Sequence, residues 1–495
     1  MEPKTVLINP PWPTDKIYGK NLAKASGYML PYGILSIASY CESRGYPVDV
    51  IDASAHNMED EDVLNAIRTE KYDVVGLSCW TPSALKIYDF ARQIKAINPN
   101  ILVVSGGAHP TILQGEFLDE APHIDAAIMG EGEFTFCELL EAIEKKQDWQ
   151  GVAGLIFRKE GKVTHSPPRP TIPDLNELPL PAYDKVDMSR YISGVTHTKY
   201  YPTYSTIFTR GCPFQCTFCG HKIISPKVRY KSPEKVVEEF LVFKEQYGGV
   251  GLTIQDSTLT IDKKWLTAVC DELIDKKVNM IWNCNARADV VNEDLLVKMR
   301  QAGCWKLAFG IESGNEVTLK KMKKGVKFSL EKVQESIELA KHLGFRIQAS
   351  FIVGFPWEDM DMVNKTIKFA HSLKSDWTMI YPLTPYPGTE IWPQANEAGG
   401  WQKDPFTWAD LSIGANIDHP IYVAPQLDKD VLLATIKRGY RGHYMQPAVI
   451  WRHLQSIKTG ADMKNLYRGF RAWWGIVHSP KVAMANLANP TSVTS

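Results

Sequence analysis

With 495 residues, of which 44% are hydrophobic and 23% charged, the chain has the composition of a globular protein with two or three cored domains. Its 56 basic residues are matched by 56 acidic ones, so nothing points to a polyanionic partner and nucleic-acid binding is not expected. The start lacks the charged head, apolar middle and cleavage site of a secretion signal, no apolar run is long enough to span a bilayer, and the nine cysteines are odd in number with three of them crowded together; a reducing cytoplasm and a metal site are expected rather than a disulfide scaffold.

The first part alternates short β-rich runs with helical patterns. Strands are predicted at Val6–Ile8, Val48–Asp52, Val74–Ser78, Ile101–Ser105 and Ala126–Met129. Between them, Ile34, Ile37, Ala38 and Cys41 form one apolar helical face with Gly45 as a stop, and Ala84, Ile87, Ala91 and Ile94 form another. Strands alternating with helices predict an α/β, doubly wound, Rossmann-like parallel sheet over residues 1–150, with ligands at the carboxyl ends of its strands. A hairpin follows, Val152–Arg158 with Lys162–Thr164, and then Pro167, Pro168, Pro170, Pro173, Pro179 and Pro181; residues 151–190 read as a proline-rich linker. Residues 191–400 hold a second series of βα units, with strands at Thr206–Thr209, Gly251–Ile254, Met280–Asn283, Lys306–Gly310, Ile347–Ile352 and Trp377–Tyr381. Six such units predict a partial (β/α)6 barrel. Residues 401–495 read as mostly helical, with Pro447 starting one segment and Gly460 ending it.

The segment from Thr209 to Gly220 carries the chemistry. Cys212, Cys216 and Cys219 are spaced C-x-x-x-C-x-x-C just after a strand. A compact loop of three thiolates can wrap one iron–sulfur cubane and leave its fourth iron open to the amine and carboxylate of a small molecule. The alternative is structural zinc with His221 as fourth ligand, although such zinc sites generally pair two short ligand clusters and no second one is evident. The remaining cysteines (Cys41, Cys79, Cys137, Cys270, Cys284, Cys304) lie in apolar surroundings and read as core.

This loop resembles the motif of the radical S-adenosylmethionine (SAM) superfamily, with Phe218 as the aromatic residue before the last cysteine. The resemblance implies a [4Fe–4S] cluster on the three cysteines, SAM on its open iron, and an external electron donor such as flavodoxin or ferredoxin. It places SAM contacts at Gln255 and Asp256, at Arg287, at Glu312 and at Ser350, all at predicted carboxyl ends of barrel strands, where barrel active sites form. On residue type alone an acid such as Asp256 is more often a helix cap, and it is the shared placement of these residues that argues for a site. The N-terminal part is similar to the cobalamin-binding members of that superfamily, over Asn9-Pro10-Pro11, Gly106-Gly107-Ala108-His109-Pro110-Thr111 and Gly130-Glu131-Gly132-Glu133. Cobalamin contacts are therefore expected from Asn9, Pro10, Trp80, Gly106, Gly107, His109, Thr111, Gly130, Glu131 and Glu133. The D-x-H-x-x-G motif that supplies a histidine to cobalt in other cobalamin proteins is missing, so cobalt without a histidine ligand is implied; Trp80 either covers the lower cobalt face or simply packs.

The resemblance implies methyl transfer to an unactivated carbon of a small-molecule or lipid-like substrate. Two rivals stand beside it: a cobalamin-dependent radical cyclisation, oxidation or rearrangement without methyl transfer, and an iron–sulfur redox sensor or binding protein without turnover. Near the C-terminus, Trp451, Arg452, Lys458, Lys464, Arg468, Arg471, Trp473 and Trp474 form a basic, aromatic helical end, which reads either as a helix packed on the barrel edge or as a peripheral membrane contact.

Overall fold

A computed structural model describes residues 2–478 apart from 14, 18, 20–22, 24, 192, 226, 326 and 413; the last part of the expected helical tail, 479–495, lies outside the described residues. The first sheet holds β1 (Thr5–Asn9), β2 (Val48–Asp52), β3 (Val74–Ser78), β4 (Leu102–Gly106), β5 (Ala126–Ile128), β6 (Leu155–Lys159) and β7 (Lys162–His165), in the order β2-β1-β3-β4-β5-β6-β7. β1 to β5 are parallel. Strand alternation explains why both faces are covered. Val6, Ile8, Val75, Leu77 and Val103 pack on one side with Ile87, Phe90, Ala91 and Ile94 of helix Ala84–Ile97. Leu7, Val74, Val104 and Ile128 pack on the other with Ile34, Ala38 and Cys41 of helix Tyr32–Ser43 and Phe136 and Leu140 of helix Glu133–Glu144.

The hairpin departs from the linker reading. β6 pairs antiparallel with β5, and β7 with β6, so the hairpin extends the first sheet to His165. Its apolar residues Leu155, Ile156 and Phe157 are buried in the cores of that sheet, which a free linker would leave wet.

The second sheet contains β8 (Thr203–Thr206), β11 (Gly251–Ile254), β12 (Ile281–Ala286), β13 (Cys304–Glu312), β14 (Arg346–Val353) and β15 (Trp377–Pro382), all parallel, in the order β15-β14-β13-β12-β11-β8. The first barrel strand is corrected: Thr203–Thr206 pairs with β11, while Thr209–Arg210 turns away as β9 to pair with β10 (Arg229–Tyr230). In β14 the residues Ile347, Ala349, Phe351 and Val353 are buried against the outer helices, whereas Gln348, Ser350 and Ile352 are half-buried on the opposite, inner face. Segment 196–198 meets the amino-terminal end of that inner face, where the backbone carbonyl of His197 accepts from Asn283 Nδ2 at 2.9 Å and that of Thr196 from Lys306 Nζ at 2.5 Å.

Helix Lys429–Tyr444, capped by Asp428, closes the β15 edge: Tyr440 Oη accepts from the Ile380 amide at 2.9 Å and Tyr444 Oη from the Thr378 amide at 3.1 Å. Helix Pro447–Gln455 follows as expected, with Arg452 on buried Asp376. Gly460 does not end a helix but opens Gly460–His478; glycine stops a helix only where the preceding residues are helical, and here the chain has already left the helix after Gln455. Among the described residues no helix is long and apolar enough to cross a membrane.

Candidate active site

The cysteine loop lies between β9 and helix His221–Ile224. Gly211 has φ +98°, and a Cβ there would stand 2.1 Å from the Lys227 carbonyl oxygen, so only glycine lets the loop fold back this tightly. The return is pinned by the Cys212 amide donating to the Ser225 carbonyl at 3.2 Å. Cys216 is buried and Cys212 and Cys219 half-buried. Burial pushes the Cys216 and Cys219 thiols up; at Cys216 the cations of Lys324 and Arg287 oppose it. Among the described residues no three His, Cys, Asp or Glu side chains converge on a single-ion site, and His221 sets Nε2 2.8 Å from Ser257 Oγ. Three thiols on a wrapped loop, backed by cations, suit an anionic cluster that brings its own sulfides.

Arg287 is a support of this loop. It packs over Phe214 at 3.6 Å, pairs with Asp289 at 2.9 Å and donates to the Lys324 carbonyl at 2.6 Å. Lys324 in turn pairs with Glu312 at 3.0 Å. Glu312 sits at φ +74° beside a register shift between Gly310 and Glu312. A non-glycine residue in the left-handed region is held there by its surroundings, here the Lys324 ion pair and the shift in register. Gln255 is half-buried just past the end of β11, whereas Ser350 is half-buried inside β14 rather than at its carboxyl end, and Phe218 meets Phe355 at 6.2 Å.

Asp256 borders a cavity beside the cysteine loop, as Gln255 and Ser257 do, but its carboxylate is committed to the backbone. It is buried and accepts from the amides of Phe208 at 2.8 Å and Thr209 at 3.0 Å. Burial pushes its carboxyl up to about 7, against those two bonds. Its work is to hold the turn that leads from β8 into β9, because two orphan amides there need an acceptor.

A cavity of about 340 Å³ joins the two domains. Leu7, Gly76, Val104, Ile128 and Phe136 line its apolar end; Ser78, Ser105, Gly106, Gly107, Gly130, Glu131 and Glu133 its middle; Arg210, Gly211, His221, Ser225, Gln255 and Ser257 the end beside the cysteine loop. A Cβ on Gly76 would stand 2.4 Å from Leu7 Cδ2, and one on Gly107 2.4 Å from the Cys79 carbonyl, so the slot depends on residues without side chains. An apolar slot of this size, opening on a polar rim, can take the flat aromatic tail of a larger cofactor such as cobalamin, with the rest of it lying outside the slot.

Of the residues expected to contact it, Gly106, Gly107, Gly130, Glu131 and Glu133 are brought together. The others are not. Asn9 Nδ2 is spent on Asp52 at 2.8 Å. Thr111 Oγ1 donates to Gly107 and accepts from the Gly130 amide at 2.9 Å, bracing the two glycine turns from behind. Trp80 stands exposed at the start of the turn Thr81–Ser83, and neither it nor Pro10 lines the cavity. His109 is wholly buried, with Nε2 3.0 Å from Tyr88 Oη and its ring against Phe117 and Trp408; burial pushes it down to about 4. A histidine in a GGAHP turn at a strand end looks like a ligand, but the turn aims it sideways into an aromatic cluster.

The glutamates carry a second duty that residue type did not reveal. Arg210 donates to Glu131 at 3.2 Å and to Glu133 at 2.5 Å, and Arg229 to Glu131 at 2.7 Å. Ser36 Oγ donates to Glu133 at 2.8 Å. Burial would raise the Glu133 carboxyl, but the Arg210 charge and hydrogen bonds outweigh it and hold it below its ordinary range. This ionic clasp ties the first domain to the residue immediately before Gly211 and Cys212. The only sequence signal for it was Arg210 inside the cysteine segment, with no marker of its partners.

Comparison with known proteins places the same two parts. A B12 binding domain model matches residues 19–140 and a radical SAM superfamily model residues 206–370. The chain is 31% identical to an uncharacterized methyltransferase of Pyrococcus horikoshii, over 85% of this chain and 89% of that one. It is 29% identical to the anaerobic magnesium-protoporphyrin IX monomethyl ester cyclase of Rubrivivax gelatinosus, over 88% and 77%. Its fold matches the structure of the radical SAM methyltransferase TsrM of Kitasatospora setae with cobalamin and a [4Fe–4S] cluster bound, at a TM-score of 0.70 and 16% identity, over 90% of each chain.

Proposed function

Because the chain belongs to the radical SAM enzymes that carry a B12-binding domain, we propose that it transfers a methyl group to an unactivated carbon of a small-molecule or lipid-like substrate. Family membership supplies its cofactors, a [4Fe–4S] cluster, SAM and cobalamin, which together provide a radical for hydrogen abstraction and a cobalt-borne methyl. An external low-potential electron donor, such as flavodoxin or ferredoxin, and a cytoplasmic setting complete the reading. Cys212, Cys216 and Cys219 hold the cluster; Gln255, Glu312 and Ser350 orient SAM; Gly106, Gly107 and Gly130 let the backbone approach the corrinoid.

The observation that carries this reading is the single cavity that runs from the first sheet to Gly211 and Ser257. Reagents held by two domains then face one space, and a short-lived carbon radical demands that proximity. Anaerobic turnover with methyl-labelled SAM tests it. S-adenosylhomocysteine and 5′-deoxyadenosine are expected in nearly equal amounts, with label in the product. The likeness to a cyclase favours one second reading, radical cyclisation; 5′-deoxyadenosine without S-adenosylhomocysteine or labelled product would select it.

The C-terminal helix favours an apolar substrate met at a membrane surface. Helix Gly460–His478 exposes Met463, Tyr467, Phe470 and Trp474 at helical spacing, with Lys464 and Arg471 exposed on the same helix. Large apolar side chains flanked by cations suit an anionic interface. The protein is expected to sediment with vesicles containing anionic lipid, and a Phe470→Ser, Trp474→Ser variant to remain in the supernatant. Equal recovery of parent and variant in the supernatant counts against membrane contact.

A further inference from the structure

Reductive SAM cleavage needs an electron from outside the protein. Segment 316–328 holds five lysines and a single glutamate in a chain whose overall charge is zero. Its backbone touches the cysteine loop directly: the Thr217 amide donates to the Met322 carbonyl at 3.0 Å. Leu319, Met322 and Phe328 are buried beneath it, and Lys324 turns inward to Glu312. Lys320, Lys321, Lys323 and Lys327 point out and are exposed. Lys323 pairs with Glu390, which also takes Lys222. Lys320, Lys321 and Lys327 form no ion pair among the described residues.

An aromatic path runs from the loop to the same surface. Phe218 meets Phe355 edge-on at 6.2 Å, and Phe355 stacks on Trp357 at 5.0 Å. Lys321 Nζ lies over the Trp357 ring at 5.5 Å, at the rim of a hollow of about 530 Å³ that also includes Gln394 and Glu397. Lysines whose charge is not neutralised by an ion pair, gathered over the metal loop of an otherwise neutral protein, make a local positive field that steers and orients a negative partner.

We propose that Lys320, Lys321 and Lys327 form the docking surface for an acidic one-electron carrier protein, a reduced flavin or iron–sulfur protein, whose prosthetic group is brought over Trp357. The inference rests on the radical SAM reading. The carrier is oxidised by one electron, and the cluster on Cys212, Cys216 and Cys219 is reduced by that electron; no proton or group moves with it.

The test uses the reconstituted holoenzyme and a Lys320→Glu, Lys321→Glu, Lys327→Glu variant, each driven by dithionite or by reduced flavodoxin. With dithionite, parent and variant are expected to form 5′-deoxyadenosine at the same rate. With flavodoxin, the variant should slow by about tenfold or more, and added salt should slow the parent. An unchanged flavodoxin-driven rate overturns the proposal, as does an equal fall with both reductants. Binding of oxidised flavodoxin, followed by calorimetry, gives a readout without turnover: weaker binding by the variant supports the surface, and equal binding overturns it. A parent that fails to cleave SAM even with dithionite would defeat the radical SAM reading itself, a result separable from these.

Discussion

Cys216→Ala is expected to lose the cluster and with it all 5′-deoxyadenosine formation, the largest functional effect any single substitution should have here. Cys216 is the buried member of the three, with Cys212 and Cys219 half-buried on either side. Its removal leaves two thiolates to hold four irons, in a pocket where Arg287 and Lys324 were placed to balance an anion. The loop should otherwise stay folded, because its anchors at the Ser225 and Met322 carbonyls and on Phe214 do not involve this thiol. Alanine at Cys270, buried behind the barrel sheet, serves as control for losing a thiol: it should cost stability by a cavity of about 1–2 kcal/mol and leave iron and sulfide content at the parental level. Iron and sulfide assays after anaerobic reconstitution, with electron paramagnetic resonance of the reduced protein, check both. Parental iron in Cys216→Ala would mean that the cluster is held elsewhere; zinc at full occupancy in the parent would mean that there is no cluster to lose.

What could be read from the sequence was whatever is local. The short β-rich runs of the first sheet and the barrel, the apolar stripe of helix Ala84–Ile97 and the cysteine spacing are all written within a few residues, and β2, β3 and β11 fall at their expected bounds. What depends on a distant partner was not. Asp256 ends a strand whether its carboxylate points into the barrel or back at the Phe208 and Thr209 amides; only the packing of the loop from β8 decides, and it buries the acid. Glu131 and Glu133 look like a glycine-flanked ligand turn, and their arginines stand far along the chain. The hairpin β6–β7 is recognisable as a hairpin, but its attachment to β5 is a tertiary choice that its turn residues do not encode. His109 illustrates the same point: a glycine turn sets where a helix begins, while the aromatic neighbours Tyr88, Phe117 and Trp408 set where its first side chains go.

The interdomain clasp yields the second large effect. Arg210→Met keeps an unbranched apolar stem and removes the charge, which leaves Glu133 buried with Ser36 as its remaining side-chain partner. Breaking a buried pair by deleting one partner costs about 3–5 kcal/mol, because the other charge stays out of water. The sign of the pH dependence separates this cause from simple loss of packing. In the parent, Glu133 is held below its ordinary range, so it contributes stability at neutral pH that is lost as pH falls through its folded value. In the variant, burial acts without Arg210 and the folded value rises above the unfolded one; the carboxyl is then tolerated when protonated, and stability is lost as pH rises through that value. The deficit of Arg210→Met in calorimetric unfolding is therefore expected to be smaller at pH 5 than at pH 8. Adding Glu133→Gln, which removes the buried charge and keeps the shape, should recover most of the deficit and flatten its pH dependence. A deficit that is equal at both pH values and unchanged by Glu133→Gln would mean that Arg210 acts through packing alone. The domains would then be held over the shared cavity by the apolar contacts and by Arg229 rather than by this charge.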